Sequence, residues 1–223
     1  WQTQVKTYLM FHKILKIRDL SSSAYVLRLE RKELNFKPGQ CFNLGLKDSG
    51  INREYSIYSG TNDPYLEFLI KEVQGGTVST ALRKVNPGNE IDLHGPYGSF
   101  VITQDKIKNT AFTFIATGTG IAPFHSFVCT YPNLDYRIIN GIRSISEQYD
   151  YNDYDQNRVT TCVTRENHHN EFKGRVTDYL QETNINLTHT YFLCGNQSMI
   201  QQGYDLLRDN GVSGDLIFTE AFF

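Results

Sequence analysis

Cys41, Cys129, Cys162 and Cys194 are the only cysteines in the chain, and no two stand close enough to make a CxxC or CxH pair. Such scatter starts no zinc or iron-sulfur site, so no metal is expected and the thiols read as buried and unpaired. Unpaired thiols suit a reducing cytoplasm, the expected location. No apolar run approaches the roughly 18 residues needed to span a bilayer. No basic-then-apolar leader with a small-residue cleavage site precedes the first strand, and nothing argues for export. The formal net charge is only -2, and neither a nucleic acid nor a membrane is an expected partner. Internal repeats and low-complexity tracts are also missing.

The chain has 223 residues, 39% hydrophobic and 13% aromatic, which is enough for one large core or two modest ones, with two preferred. The small net charge hides an asymmetry. Residues 1–60 carry ten Lys/Arg against five Asp/Glu, and residues 146–223 carry five against twelve. Such a dipole can steer an acidic partner toward the N-terminal part, although an ordinary solvated surface accounts for it equally well.

Two grammars divide the chain. Up to about residue 100, short β-branched and aromatic runs alternate with turns: "HKILKIRDL", "AYVLRLER", "QCFNLGLK", "REYSIYSG", "YLEFLIKEV" and "EIDLHGP". Six such strands predict a small antiparallel β-barrel. One helix interrupts them, because Ala81, Leu82 and Val85 in "GGTVSTALRKV" have helical spacing. Beyond the short polar linker "TQDKIKN" come five apolar strands, "TAFTFIATGTG", "DYRIINGIR", "NRVTTCVTR", "THTYFLCGN" and "GDLIFTEAFF". Helical segments separate them, namely "APFHSFVCTY", "GRVTDYLQET" and "QSMIQQGYDLLRDNG", the last with a glycine stop at Gly211. Strands alternating with helices predict an α/β half with a five-stranded parallel sheet. The expected boundaries are 1–104 for the barrel and 109–223 for the α/β half.

Several stretches carry residues suited to ligand chemistry. Arg53 and Tyr55 in "NREYSIYSG" share one face of a strand, and Ser56 points the other way with its hydroxyl and amide close by. A guanidinium beside an aromatic plate suits a ligand with a phosphate and a flat ring, although an ordinary strand with a surface arginine explains the stretch alone. Gly75 and Gly76 let the backbone approach a ligand at a helix start, where Thr77, Ser79 and Thr80 add hydroxyl donors; a plain glycine turn is the alternative. "ATGTGIAPF" is a second glycine-rich turn between strand and helix, with Pro123 just inside the helix. At the C-terminal edge of a parallel sheet such a turn is where nucleotides bind, yet it matches neither GxGxxG nor GxxxxGK. Arg143, Arg165 and Arg175 follow strands or open a helix near that edge. Two or three of them suffice to select a nucleotide with an extra phosphate, although each alone reads as a solvated surface residue. "YFLCGNQSMI" puts Cys194 and Gly195 at another strand end, and "FTEAFF" offers a carboxylate and two aromatics.

Together these stretches resemble the ferredoxin-NADP reductase superfamily over nearly the whole chain, and in that family's order. Arg53, Tyr55 and Ser56 resemble its Arg-x-Tyr-Ser flavin signature, "GGTVS" its pyrophosphate turn, "GTGIAP" its nicotinamide turn and "CGNQSM" its next motif. The tail "EAFF" resembles the bacterial-type ending. The resemblance implies an N-terminal flavin barrel, with FAD rather than FMN, followed by a pyridine-nucleotide domain. Arg53 would hold the flavin phosphate, Tyr55 would stack on the isoalloxazine, and Ser56 would bond near N5, with Ile70 and Lys71 alongside. Gly76, Thr77, Val78 and Ser79 would wrap the pyrophosphate. Thr119 and Gly120 would serve the nicotinamide, together with Cys194 and Gly195.

"VTRE" is similar to the Ser-Arg-Glu of NADP-using members, so Arg143, Thr164, Arg165 and Arg175 would favour NADPH over NADH. Glu220 would be the active-site carboxylate, acting with Ser56 and Cys194. Phe222 would cover the flavin, leaving Phe223 to pack on an adenine. The implied reaction is hydride transfer between NADP(H) and flavin N5, then one-electron steps to a separate ferredoxin or flavodoxin, by a monomer. The rivals are the reductase component of an oxygenase chain, which "GPYGSF" brings to mind, and a flavin- or nucleotide-binding electron-transfer subunit without turnover. Subunits of that kind typically add a C-terminal cysteine cluster, and this chain ends at Phe223.

Overall fold

The computed structural model describes residues 10–169 and 171–222. The six N-terminal strands form where alternation places them: β1 (Met10–Asp19), β2 (Ala24–Glu30), β3 (Cys41–Leu46), β4 (Asn52–Ser56), β5 (Tyr65–Lys71) and β6 (Glu90–Tyr97). They pair antiparallel in the order β4-β3-β6-β1-β2-β5. Just past β4, an Ile57–Phe68 bridge and the Tyr58 N–H donating to the Glu67 carbonyl at 2.8 Å join the two ends of that order. The sheet therefore closes into a barrel, which pairs its edges. Tyr25, Leu27, Phe42, Leu44, Phe68 and Ile70 fill the interior. Helix α1 (Thr77–Arg83) buries Val78 and Leu82 in the same core. Its Ser79 carbonyl accepts a 2.6 Å bond from the Tyr25 hydroxyl, which fixes the glycine turn against the barrel.

The linker after β6 is not plain loop. It forms a single turn, α2 (Gln104–Ile107), after an extended Thr103. A four-residue helix carries too few residues to show a period.

The second sheet contains β7 (Phe112–Thr117), β8 (Tyr136–Ile142), β9 (Val159–Val163), β10 (Phe172–Lys173), β11 (Thr190–Asn196) and β12 (Ile217–Phe222). All are parallel, in the order β10-β9-β8-β7-β11-β12. The sheet thus has six strands and not the expected five. The extra strand is β10, whose two residues pair with Cys162 and Val163. A two-residue strand has no alternation to read, and only its neighbour in space defines it. Helices α3 (Ala122–Thr130), α4 (Val176–Glu182) and α5 (Gln197–Asp209) follow β7, β10 and β11. Among the described residues, no helix is long and apolar enough to cross a membrane.

The two sheets share a core. Val26, Tyr58 and Leu69 from the barrel meet Phe112, Phe114, Phe124, Phe127 and Phe192 in one buried cluster, and Phe114 stacks on Phe124 at 4.8 Å. A polar clasp lies beside it. Asp150 accepts two bonds from Arg18, at 2.7 and 2.8 Å, and one from the Tyr58 hydroxyl at 2.9 Å. Tyr58 also stacks on His125 at 3.8 Å, and the imidazole reaches Asp153 at 3.0 Å. Burial is the largest single influence and disfavours the charged ring, but Asp153, Cys129 and the Tyr58 carbonyl together outweigh it and the His125 pKa rises to about 10. Strand order reverses between β7 and β11, and the crevice outside their C-terminal ends faces β4 of the barrel.

Candidate active site in the cleft between the sheets

A cleft of about 1080 Å³ runs along this crevice, near the upper end of the usual range for ligand sites. One wall belongs to the barrel. Arg53, Tyr55 and Ser56 on β4 all line it, as do Lys71, Gly76, Thr77, Val78 and Ser79. Arg53 is exposed and, among the described residues, donates only to the Asn52 carbonyl, at 2.7 Å, so its guanidinium keeps donors for an anion. Tyr55 is half-buried, and burial lifts its hydroxyl to about 12, with Arg53 acting in opposition. The Ser79 hydroxyl is already engaged, accepting from the Val73 amide at 3.1 Å. The start of α1 has no side-chain cap. Gly76 has no room for a Cβ, which would stand 2.9 Å from the Val73 carbonyl oxygen. Ile70 is brought near this wall by sequence alone, since its side chain is wholly buried inside the barrel.

The facing wall comes from the parallel sheet. Thr117, Gly118 and Thr119 at the end of β7 meet Gly195 and Asn196 at the end of β11, and the Asn196 amide donates to Thr117 Oγ1 at 3.0 Å. The two turns interlock because both glycines are bare. A Cβ on Gly120 would stand 2.2 Å from the Cys194 carbonyl oxygen, and Gly195 has φ +134 with Thr117 against it. Gly120 and Cys194 themselves do not line the cleft. Cys194 is fully buried in the shared core, and burial followed by the Glu220 charge pushes its thiol well up, so it stays protonated.

Arg143, Thr164 and Arg175 line the far end of the cleft, with Arg143 just beyond β8 and Arg175 at the start of α4. The Thr164 hydroxyl is tied to the Ile142 carbonyl at 3.2 Å. Arg165 is exposed and outside the lining, although its amide bonds the Arg143 carbonyl at 3.0 Å. The walls meet at Glu220 on β12. Ser56 donates to Glu220 Oε2 at 3.1 Å across the barrel–sheet junction. Burial raises the Glu220 pKa to about 7; the Ser56 bond lowers it and the Glu54 charge raises it further. Phe222, half-buried two residues on, also lines the cleft, and Phe223 lies outside the described residues.

Residues 12–102 match the oxidoreductase FAD-binding domain family. Across the chain, a ferredoxin-NADP reductase of Azotobacter vinelandii is 26% identical over 251 residues, covering 94% of this chain and 96% of its own. A solved ferredoxin NADP+ reductase from Neisseria gonorrhoeae, with bound FAD and NADP, superimposes with a TM-score of 0.84 at 22% identity, over 96% of this chain and 99% of that one.

Residues 12–102 thus form an oxidoreductase FAD-binding domain, and over most of its length the chain is similar to ferredoxin-NADP and flavodoxin/ferredoxin-NADP reductases. It is a flavin oxidoreductase with FAD as cofactor. Relatives that serve oxygenases are similar to it as well. The toluate 1,2-dioxygenase electron transfer component of Pseudomonas putida is 28% identical over 227 residues, 94% of this chain, and the chain spans 66% of that protein's length.

The cleft is also lined by residues that motif reading missed, among them Cys41, Glu54, Thr117, Asn196, Met199 and Gln202. Glu54 has a readable signal, because it shares a strand face with Ser56. Cys41 has none, since only the β3–β4 register sets it opposite Ser56.

Proposed function

We propose that the chain passes electrons between NADPH and a separate ferredoxin or flavodoxin. The observation that carries this reading is the Ser56–Glu220 bond, which joins a flavin-type wall and a nucleotide-type wall in one cleft. The residues present fit FAD. Arg53 offers free donors, the uncapped α1 amides follow a glycine that admits close backbone approach, and Tyr55 offers a half-buried ring. FAD held by these residues would supply the redox chemistry, exchange of hydride with a nicotinamide and of single electrons with a carrier.

The chain's own residues orient and protect that exchange. Ser56 and Glu220 hold a proton beside the reacting edge, and the interlocked Gly120 and Gly195 turns leave space for a nicotinamide. Arg143 and Arg175 bind the extra phosphate of NADPH. Phe222, which lines the cleft, would cover a bound flavin ring and could yield to a nicotinamide, since a stacked aromatic contributes only about 0.5–1.5 kcal/mol. The flavin part is taken as residues 1–104 and the nucleotide part as 109–223, in a monomer of the cytoplasm. All four cysteines are unpaired, in keeping with that compartment.

The test is anaerobic mixing of the yellow protein with NADPH or NADH, followed by candidate acceptors. Faster bleaching by NADPH and reoxidation by ferredoxin or flavodoxin are expected; a flavin that NADPH leaves oxidised overturns the reading. Similarity to the toluate dioxygenase component favours a second reading, reductase of an oxygenase chain. Rapid reoxidation by an oxygenase-type acceptor and not by ferredoxin or flavodoxin selects it.

A further inference from the structure

Glu54 and Cys41 have no part in the roles assigned above, yet both line the cleft beside Ser56 and Glu220. Glu54 stands two residues before Ser56 on β4, so the two side chains share a face. Cys41 on β3 is paired directly opposite Ser56, which puts their Cβ atoms about 5 Å apart. The Cys41 thiol donates to Glu54 Oε1 at 2.7 Å, with the Tyr97 carbonyl a more distant acceptor at 3.5 Å. Cys41 is buried and Glu54 is exposed, so the thiol draws a carboxylate that solvent would otherwise hold back against the cleft wall. Among the described residues, neither Glu54 nor Glu220 has an ion-pair partner. A row of polar groups therefore runs Glu54, Cys41, Ser56, Glu220, with a carboxylate at each end and no cation between them.

We propose that Glu54, anchored by the Cys41 thiol, is a positioning residue that holds a negative charge near Glu220 and thereby governs its proton occupancy. Its catalytic consequence rests on the reading that Glu220 handles a proton beside the flavin. The groups facing Glu220 are few. Cys41, Glu54 and Ser56 face it from β3 and β4, and Cys194 is its cross-strand partner on β11. Both thiols are neutral, since burial leads in pushing each of them up. Burial favours the proton and the Ser56 donor favours the ionised carboxylate, and among the described residues Glu54 is the side chain whose charge adds to the effect of burial. Arg53 and Lys71 line the same cleft without bonding either carboxylate.

The experiment follows the side-chain carboxyl carbon of Glu220 by 13C NMR in the FAD-loaded protein, with the resonance assigned through Glu220→Gln. In Glu54→Gln the bond to Cys41 survives and the charge goes. The Glu220 midpoint is expected to fall by roughly half a unit to one unit. Cys41→Ala releases Glu54 to solvent and lowers the midpoint less; Cys41→Ser keeps a donor and restores it. An unmoved or raised midpoint in Glu54→Gln overturns the proposal. A midpoint that Cys41→Ala leaves unchanged overturns the anchoring. The titration needs no turnover, so a protein that NADPH cannot reduce defeats the functional reading while the Glu54 coupling is still decided.

Discussion

Ser56 and Glu220 stand 164 positions apart and share a 3.1 Å hydrogen bond that joins the barrel to the last strand of the parallel sheet. The bond satisfies a buried serine and leaves Glu220 with a raised proton affinity, because burial outweighs the one donor it meets.

Glu220 makes stability depend on pH. Its folded pKa of about 7 lies above the ordinary glutamate value of 4.5. The unfolded chain therefore loses this proton first. The contribution is fully present below about 4.5, is lost as pH rises through 7, and amounts to at most roughly 3 kcal/mol. Urea unfolding of Glu220→Gln at pH 5 and pH 8 checks this. The variant should match the parent protein at pH 5 and exceed it at pH 8; equal differences at both would remove burial of the carboxyl as the cause.

The two arginines that line the cleft should set nucleotide preference. Arg143→Ala and Arg175→Ala are each expected to weaken NADPH binding by about 1.5–3 kcal/mol, roughly ten- to a hundredfold, with little effect on NADH. Arg165→Ala should do less, because that side chain lies outside the lining. Nucleotide titrations monitored by flavin absorbance rank the three.

Asp150 holds the sheets together through Arg18 and Tyr58. Asp150→Asn keeps a residue that tolerates the local φ of 46 and removes the charge. The expected cost is about 1–3 kcal/mol, discounted because Arg18 is one-third exposed. Burial opposes the ionised Asp150, but the Arg18 ion pair, the Tyr58 bond and the His125 charge together hold its pKa below the ordinary aspartate value of 3.8. Its stabilisation is present above that value and lost as pH falls through the lower folded pKa. Acid unfolding of the variant should show a flatter slope there, and an unchanged slope would remove the clasp.

Gly120 should tolerate no side chain. Its Cβ would stand 2.2 Å from backbone oxygen of Cys194, which no rotamer change relieves. Gly120→Ala is expected to cost about 2 kcal/mol or more and to weaken nucleotide binding. Gly118→Ala serves as the control, since a Cβ there meets nothing within 4 Å, although its φ of +56 adds strain of its own. Thermal unfolding with and without nucleotide separates the two.

Most of the architecture is written in local pattern. The barrel strands alternate, the sheet strands are apolar runs, and turn residues bound them, so eleven of the twelve strands can be read one segment at a time. The exception, β10, has two residues and exists only because Cys162 and Val163 lie beside it. The glycine turns were legible as well, because backbone that must pass close to other backbone demands glycine wherever it occurs. Side-chain direction was not. Cys194 and Ile70 sit in the expected segments but are buried in cores, and Arg165 lies outside a cleft lining that includes Arg143. Each depends on a neighbouring element that the local stretch does not contain.

Residue types and their spacing were enough to predict a barrel followed by a parallel sheet and to single out Arg53, Tyr55, Ser56 and Glu220, which line one cleft. Tertiary structure alone decided which partners those residues meet. Ser56 meets Glu220, and Glu54 meets Cys41, because closing a barrel and pairing a last strand bring together positions that no local periodicity links. A hydrogen bond or a shifted proton affinity depends on distance and burial in space, and along the chain neither quantity is defined.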